Sequence, residues 1–345
     1  MHPGEPTTDA TTLLSRALAR AARLDHEVTA TDHLLFVMLN AEASTARALT
    51  PGARDAGSLM GVIASLDPPH WVSADDETEP PEQEADALVT AALREAHYTT
   101  RKRGRIVGQP PPPTPALRAC LRRAFVHAGT DPVLPSHLLL GLLDLRGSRA
   151  VEALRLRRID ADAVAAAVDP ALDDPSEPLS VAVLRKSGAF GGKPGLVMRW
   201  LSSGVGSPVL TAVIAEASRQ AVRRGGAEVE PVDLLLGLLS LDRLVEWSGH
   251  RLPDRAALEV LHAHGVDLPG LLPLVRVAPA PLGESVALGA EARRSVNAAR
   301  LRVADRGASA VGTEDLVAVL LDGPVGPLLA DAGHDVTALR TALGS

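Results

Sequence analysis

Three clusters in this chain carry residue types that could do chemistry. His26, Glu27 and His33 are zinc-ligand types, but a helical His-Glu-x-x-His site sets its histidines four positions apart, and these stand seven apart. His262 and His264 stand two apart, a spacing that turns them to different faces of a helix. Arg101-Lys102-Arg103-Gly104-Arg105 offers cations to an acidic partner or to RNA. The acidic stretch before it (Asp75, Asp76, Glu77, Glu79, Glu82, Glu84) is the simpler complement, so a solvated basic loop is expected. Cys120 is the sole cysteine, which excludes an intramolecular disulfide and a cysteine-based zinc site; on an apolar helix face it reads as a small buried hydrophobe. The nearest approach to a phosphate loop, Gly191-Gly192-Lys193-Pro194, has the wrong spacing and a proline after the lysine. No Gly-x-Ser-x-Gly nucleophile setting occurs. Neither catalysis nor a resident metal or cofactor is expected.

A pattern that repeats four times is more informative. Its copies are Thr31-Asp32-His33-Leu34-Leu35, Pro135-Ser136-His137-Leu138-Leu139, Pro231-Val232-Asp233-Leu234-Leu235 and Thr313-Glu314-Asp315-Leu316-Val317. Each follows an Ala/Arg-rich amphipathic segment and opens a second apolar helix, and a hydroxyl such as that of Thr31 suits such a helix start. Self-similarity of this kind decides the architecture before any local reading does.

The composition agrees with helices. Hydrophobic residues make up 46% of the 345 positions but aromatics only 2%, so the cores are built of Leu, Ala and Val in closely packed helices rather than strands. The net charge of −7 argues against a nucleic-acid partner. No run of eighteen apolar residues occurs, so no membrane partner is expected, and the first residues carry no apolar run of the signal-peptide kind; a cytoplasmic location is expected.

The repeats are placed at residues 8–66, 114–169, 207–275 and 286–343, with a connector at 69–113 and a linker at 170–206. Pro110–Pro113 is expected to be extended, and a helical piece near Ala85–Tyr98 precedes it. Residues 85–105 are an alternative first helix for repeat two, which would move that boundary. In repeat three the second helix is expected over Val232–Leu239, followed by an extra segment, Ser240–Asp254. Within the linker, Ser180–Leu184 and Leu196–Trp200 flank a Gly-rich turn and suggest a short hairpin.

This layout resembles the N-terminal repeat domain of Clp unfoldases of the ClpA and ClpC type. That family carries "Gly-Thr-Glu-His-Leu-Leu-Leu-Gly-Leu" after the first helix and a later "Leu…Gly-Val-Asp-Leu" turn. Val311-Gly312-Thr313-Glu314-Asp315, Ala30-Thr31-Asp32-His33-Leu34-Leu35 and Leu261…Gly265-Val266-Asp267-Leu268 match these, and repeats two and three match by pattern. The resemblance implies an all-α fold of two pseudo-twofold modules, each of two four-helix repeats: residues 8–169 and 207–343. The ATPase that powers a Clp unfoldase has no counterpart in this chain.

The resemblance also implies sites. In the ClpC type the acid of the Thr-Glu-His motif helps hold the guanidinium of phosphoarginine, and a carboxylate suits that bidentate contact. The corresponding positions are Asp32, Ser136, Val232 and Glu314, one acid per module, so weak or no phosphoarginine binding is expected. Family members also take hydrophobic cyclic peptides and adaptor proteins in an apolar groove between first helices. Leu13, Leu14, Leu117, Leu121, Leu288 and Val296 are the candidate lining. The implied function is non-catalytic binding: a decoy that sequesters ligands of an unfoldase N-domain, such as cyclic-peptide antibiotics. The alternative is an adaptor or accessory factor that docks on a Clp unfoldase and regulates client delivery.

Overall fold

The computed structural model describes residues 4–41, 44–50, 53–66, 70–78, 83–106, 108–191, 207–275, 286–308 and 310–344. All regular structure among them is helical, apart from three isolated β-bridges. No helix among them is long and apolar enough to cross a membrane. The chain divides into two compact units, Met1–Ser176 and Glu177–Ser345.

The first unit holds α1 (Thr8–Arg23), α2 (Thr31–Leu39), α3 (Ser44–Leu49), α4 (Ala53–Ser65), α5 (Gln83–Lys102), α6 (Pro115–Ala128), α7 (Pro135–Leu143), α8 (Arg149–Leu156) and α9 (Ala161–Ala167). Their starts follow from short polar side chains. Thr7 Oγ1 accepts the Ala10 N–H at 3.3 Å, Thr114 Oγ1 that of Leu117 at 3.2 Å and Ser148 Oγ that of Val151 at 3.3 Å. Pro115 sits at the first turn of α6, where its missing N–H costs nothing. The core is aliphatic: Leu14, Leu34, Leu35, Met38, Leu117, Leu121, Leu138, Leu139 and Leu142 are all fully buried.

The connector is more ordered than its charge suggests. The helical piece expected near Ala85–Tyr98 is the 20-residue α5, which packs along α1. The contact includes a polar meeting point, with Thr100 Oγ1 lying 2.9 Å from Ser15 Oγ and 3.1 Å from the Ser15 carbonyl. The prolines after it are extended and give Thr29 a backbone edge, with Thr29 N–H donating to the Pro112 carbonyl at 2.8 Å and Thr114 N–H to that of Thr29 at 2.9 Å.

The second unit holds α10 (Leu179–Lys186), α11 (Pro208–Arg224), α12 (Pro231–Trp247), α13 (Ala256–Ala263), α14 (Leu268–Leu271), α15 (Ala290–Asp305), α16 (Thr313–Asp322), α17 (Val325–Asp331) and α18 (Val336–Ala342). Two expectations are corrected. The hairpin arm at Ser180–Leu184 is the helix α10, because Val181 and Leu184, three apart, bury one face against α11 and α12. Leu196–Trp200 lies outside the described residues. The second helix of repeat three does not stop at Leu239 but runs on to Trp247, since Leu241 and Val245 stay buried at helical spacing and no breaker intervenes.

The bridges follow a crosswise rule. In the first unit the stretch before α1 pairs with that before α7 (Pro6 with Val133), and the stretch before α2 pairs with that before α6 (Thr29 with Pro113). In the second unit the stretch before α12 pairs with that before α15 (Val229 with Leu288).

Candidate functional site

The four repeated motifs become four equivalent helix starts. In each, the third motif residue folds back and accepts the backbone N–H just ahead of the helix. His33 Nδ1 accepts from Ala30 N at 3.0 Å and His137 Nδ1 from Leu134 N at 3.1 Å. Asp233 Oδ2 accepts from Glu230 N at 2.7 Å and Asp315 Oδ2 from Gly312 N at 3.1 Å. Each satisfies a donor that a helix start otherwise leaves orphaned. The motif's His or Asp is therefore a cap.

What braces the capping residue differs between the units. Because His33 Nδ1 must accept, its proton sits on Nε2, which donates to His26 Nδ1 at 2.8 Å. His26 and His33 thus meet through a bond between His26 Nδ1 and His33 Nε2. Burial first, then His26, pushes the pKa of His33 down to about 3. In the second unit a guanidinium takes the bracing role. Arg224 grips Asp233 in two parallel bonds of 2.7 and 2.9 Å, and Arg306 bonds Asp315.

Three of the helix starts also receive a carboxylate from a distant segment. Asp75, fully buried on the connector with φ of +56°, accepts from Thr31 N at 2.9 Å, Thr31 Oγ1 at 2.6 Å, Thr114 Oγ1 at 2.6 Å and Arg149 N at 3.1 Å. One side chain so ties the starts of α2, α6 and α8 together. Asp254, with φ of +65°, accepts from Thr313 N at 2.7 Å, and Asp173 from Ser136 N at 3.0 Å. Sequence reading missed Asp75 and Asp254, whose bonding partners lie 44 and 59 residues away.

These contacts decide what the expected site residues can reach. Asp32 is 4% exposed, and its Oδ1 has no hydrogen-bond partner among the described residues. Burial raises its carboxyl to about 6, with Arg149 opposing and Asp75 adding to the rise. Sealed in this way, it presents no open acid to a guanidinium. Ser136 is buried, Val232 is 8% exposed, and only Glu314 faces solvent. Of the proposed apolar lining, Leu13, Leu14, Leu117, Leu121 and Val296 are core, none more than 4% exposed, while Leu288 is half-buried on its bridge. Buried to this degree, those five side chains have no groove to line.

A junction between repeats one and two is nevertheless open. Ala48, Leu49 and Thr50 at the end of α3, with Asp55 of α4, face Arg157, Ile159 and Asp160 and, on α9, Ala163 and Val164 across a cavity of about 300 Å³. Its floor is apolar and its rim charged. A second cavity, of about 330 Å³, lies between α1, α2 and the turn after α5 and gathers Arg16, Arg20, Arg23 and Arg105. The basic run is thus not wholly a solvated loop, since Arg105 turns into this cavity among like charges. Cys120 is fully buried and its thiol is pushed up by that burial, which leaves it inert. The His264 backbone carbonyl accepts from His334 Nδ1–H at 3.3 Å. No family model matches the chain, and no curated protein matches it either.

Proposed function

We propose that this chain is a non-catalytic binding protein made of two Clp-N-like modules, each a pseudo-twofold pair of four-helix repeats. What supports the architecture is the crosswise bridging. Pro6 with Val133 and Thr29 with Pro113 are the same pair of places exchanged between repeats, and Val229 with Leu288 repeats one of them in the second unit. The shared fold-back of His33, His137, Asp233 and Asp315 points the same way.

The observation that carries the functional reading is the junctional cavity between α3–α4 and α8–α9. Its half-buried apolar residues Ala48 and Ile159 suit the side chains of a hydrophobic cyclic peptide, and the Asp55, Arg157 and Asp160 rim suits its backbone polar groups. Two buried aliphatic side chains contribute about 3–6 kcal/mol, which offsets part of the cost of association and leaves the rest to the polar contacts of the rim. A decoy protects an unfoldase by mass action when its concentration exceeds its Kd for the shared ligand. The adaptor reading draws on Val72 and Leu172, apolar side chains that are 93% and 71% exposed on the two connectors.

A calorimetric titration with a hydrophobic cyclic peptide, with phosphoarginine as comparison ligand, tests the decoy. Peptide binding that weakens about tenfold or more in Ala163→Trp, which fills the cavity from an exposed position, is the expected result. Binding that ignores the substitution, or no binding at all, overturns it. Co-sedimentation with a Clp unfoldase, lost in Val72→Asp, is then the test of the adaptor.

A further inference from the structure

We propose that the cavity between α1, α2 and the turn after α5 is a binding site for a phosphate group, free or at the head of a phosphomonoester. The inference does not depend on the peptide-binding reading, since this cavity shares no lining residue with the junctional one.

Helical spacing builds the site. Arg16, Arg20 and Arg23 stand at i, i+4 and i+7 on α1 and so share a face. Arg105 joins them from the turn that ends α5, where Gly104 has φ of +61°. Phe36 and Asn40, near the end of α2, close the far side. The space itself has a cause in the sequence. Four residues after the capping residue, repeats two and three carry Gly141 and Gly237, where an added Cβ would come within 2.5 Å of the preceding helix's backbone. Repeat one has Val37 there, and Val37 lines the cavity.

The charges in the cavity are unbalanced. Among the described residues, no carboxylate lines it. Arg105 is lowered by burial first and then by the like charges of Arg103, Arg16 and Arg23, while Arg20 is lowered by burial and by Arg23, with only Asp32 opposing. Arg20 stacks over the Phe36 ring, 3.4 Å from its centroid, which fixes the guanidinium plane. Among the described residues, Arg20 Nε and Arg105 Nη1 are buried with no hydrogen-bond partner, and Arg23 spends its Nε on the Ala19 carbonyl at 3.3 Å. The carbonyl ends of α1 and α2 offset part of the positive charge, which lets the cluster persist when empty. They do not supply the dianionic acceptor with several oxygens that convergent planar guanidinium forks fit.

Thermal unfolding of the full chain, followed against inorganic phosphate and phenyl phosphate with sodium chloride at matched ionic strength, reads the site. Stabilisation by phosphate beyond the chloride response, with half-saturation moved about tenfold or more by Arg16→Gln/Arg105→Gln, is expected, because two charge-assisted contacts are lost. Arg300→Gln, an exposed change in the other unit, leaves the response intact. A response to both probes assigns the site to the phosphate group alone, and a response to phenyl phosphate only assigns it to the ester. Stabilisation no larger than that of chloride, or undiminished in the double variant, overturns the proposal.

Discussion

Arg224 and Asp233, nine residues apart across the α11–α12 turn, form a two-bond ion pair in which Asp233 is fully buried and the Arg224 side chain is 11% exposed. Arg306 and Asp315 repeat the spacing across the α15–α16 turn, but there the guanidinium is 55% exposed. One sequence device thus operates at two dielectrics. Removing one partner of a buried pair strands a charge, which costs about 3–5 kcal/mol, whereas solvent on the Arg306 side moves its pair, though Asp315 is only 4% exposed, toward the exposed value of about 0–1 kcal/mol. Arg224→Gln should therefore lower the urea midpoint far more than Arg306→Gln. Equal losses would show that burial does not set the strength of these pairs.

Gly141 and Gly237 predict a second asymmetry. A Cβ at Gly141 would lie 2.5 Å from the Cys120 carbonyl oxygen and 2.9 Å from the Ala124 nitrogen; one at Gly237 would lie 2.5 Å from the Ala217 nitrogen and 2.8 Å from its Cα. Both neighbours are helix backbone, so the paired helices must separate. Gly141→Ala and Gly237→Ala each cost about 1–3 kcal/mol or more by overpacking, despite alanine's better helix propensity. Gly61→Ala, in α4, meets nothing within 4 Å and gains by propensity instead. Denaturant midpoints of the three variants should split in sign.

The helices were legible because their signals are local. The Leu-rich periodicity, the Thr and Ser caps and the Pro after a cap all act within one or two turns, and the helix boundaries at α1, α2, α6 and α7 follow from them. The reach of α12 to Trp247 and the helicity of α10 were not legible, since short apolar runs such as Ser180–Leu184 fit strand and helix alike until a partner face decides. The site was less legible still. The motif's third residue spends its side chain on the backbone, a role its spacing can suggest. Asp75 and the arginine cavity arise from segments tens of residues apart, and nothing local marks Asp75 among its acidic neighbours.

Asp75 yields a third prediction. Its carboxylate takes four hydrogen bonds from Thr31, Thr114 and Arg149 while its backbone holds φ at +56°. Asp75→Ala leaves several buried donors unsatisfied, at about 1–3 kcal/mol each when unrelieved, and keeps the backbone strain. Asp75→Asn keeps the shape and the acceptor oxygen and should cost less. Amide hydrogen exchange should show α2 and α8 losing protection together in Asp75→Ala. Loss confined to the connector would mean that the side chain does not tie these helix starts.

Asp32 and His33 are adjacent but respond to pH in opposite directions. His33 is held down to about 3 in the folded chain, against an unfolded value near 6.5, so the unfolded state binds more protons between those values. Its contribution is fully present above pH ~6.5 and is lost as pH falls toward 3, on the order of 5 kcal/mol in all. Asp32 is raised to about 6 from its ordinary 3.8, so the folded state binds the extra proton in that window. Its contribution is present below pH ~3.8 and is lost as pH rises through 6, about 2–3 kcal/mol. Urea unfolding across pH 3.5–7.5 separates the two. Asp32→Asn gains on the parent chain by about 2–3 kcal/mol between pH 4 and pH 7. His33→Asn, which keeps an acceptor for Ala30 N–H, flattens the acid limb below pH 6.5 without touching that gain. Parallel profiles for parent and Asp32→Asn would show that the carboxyl is not held protonated by its burial at the start of α2.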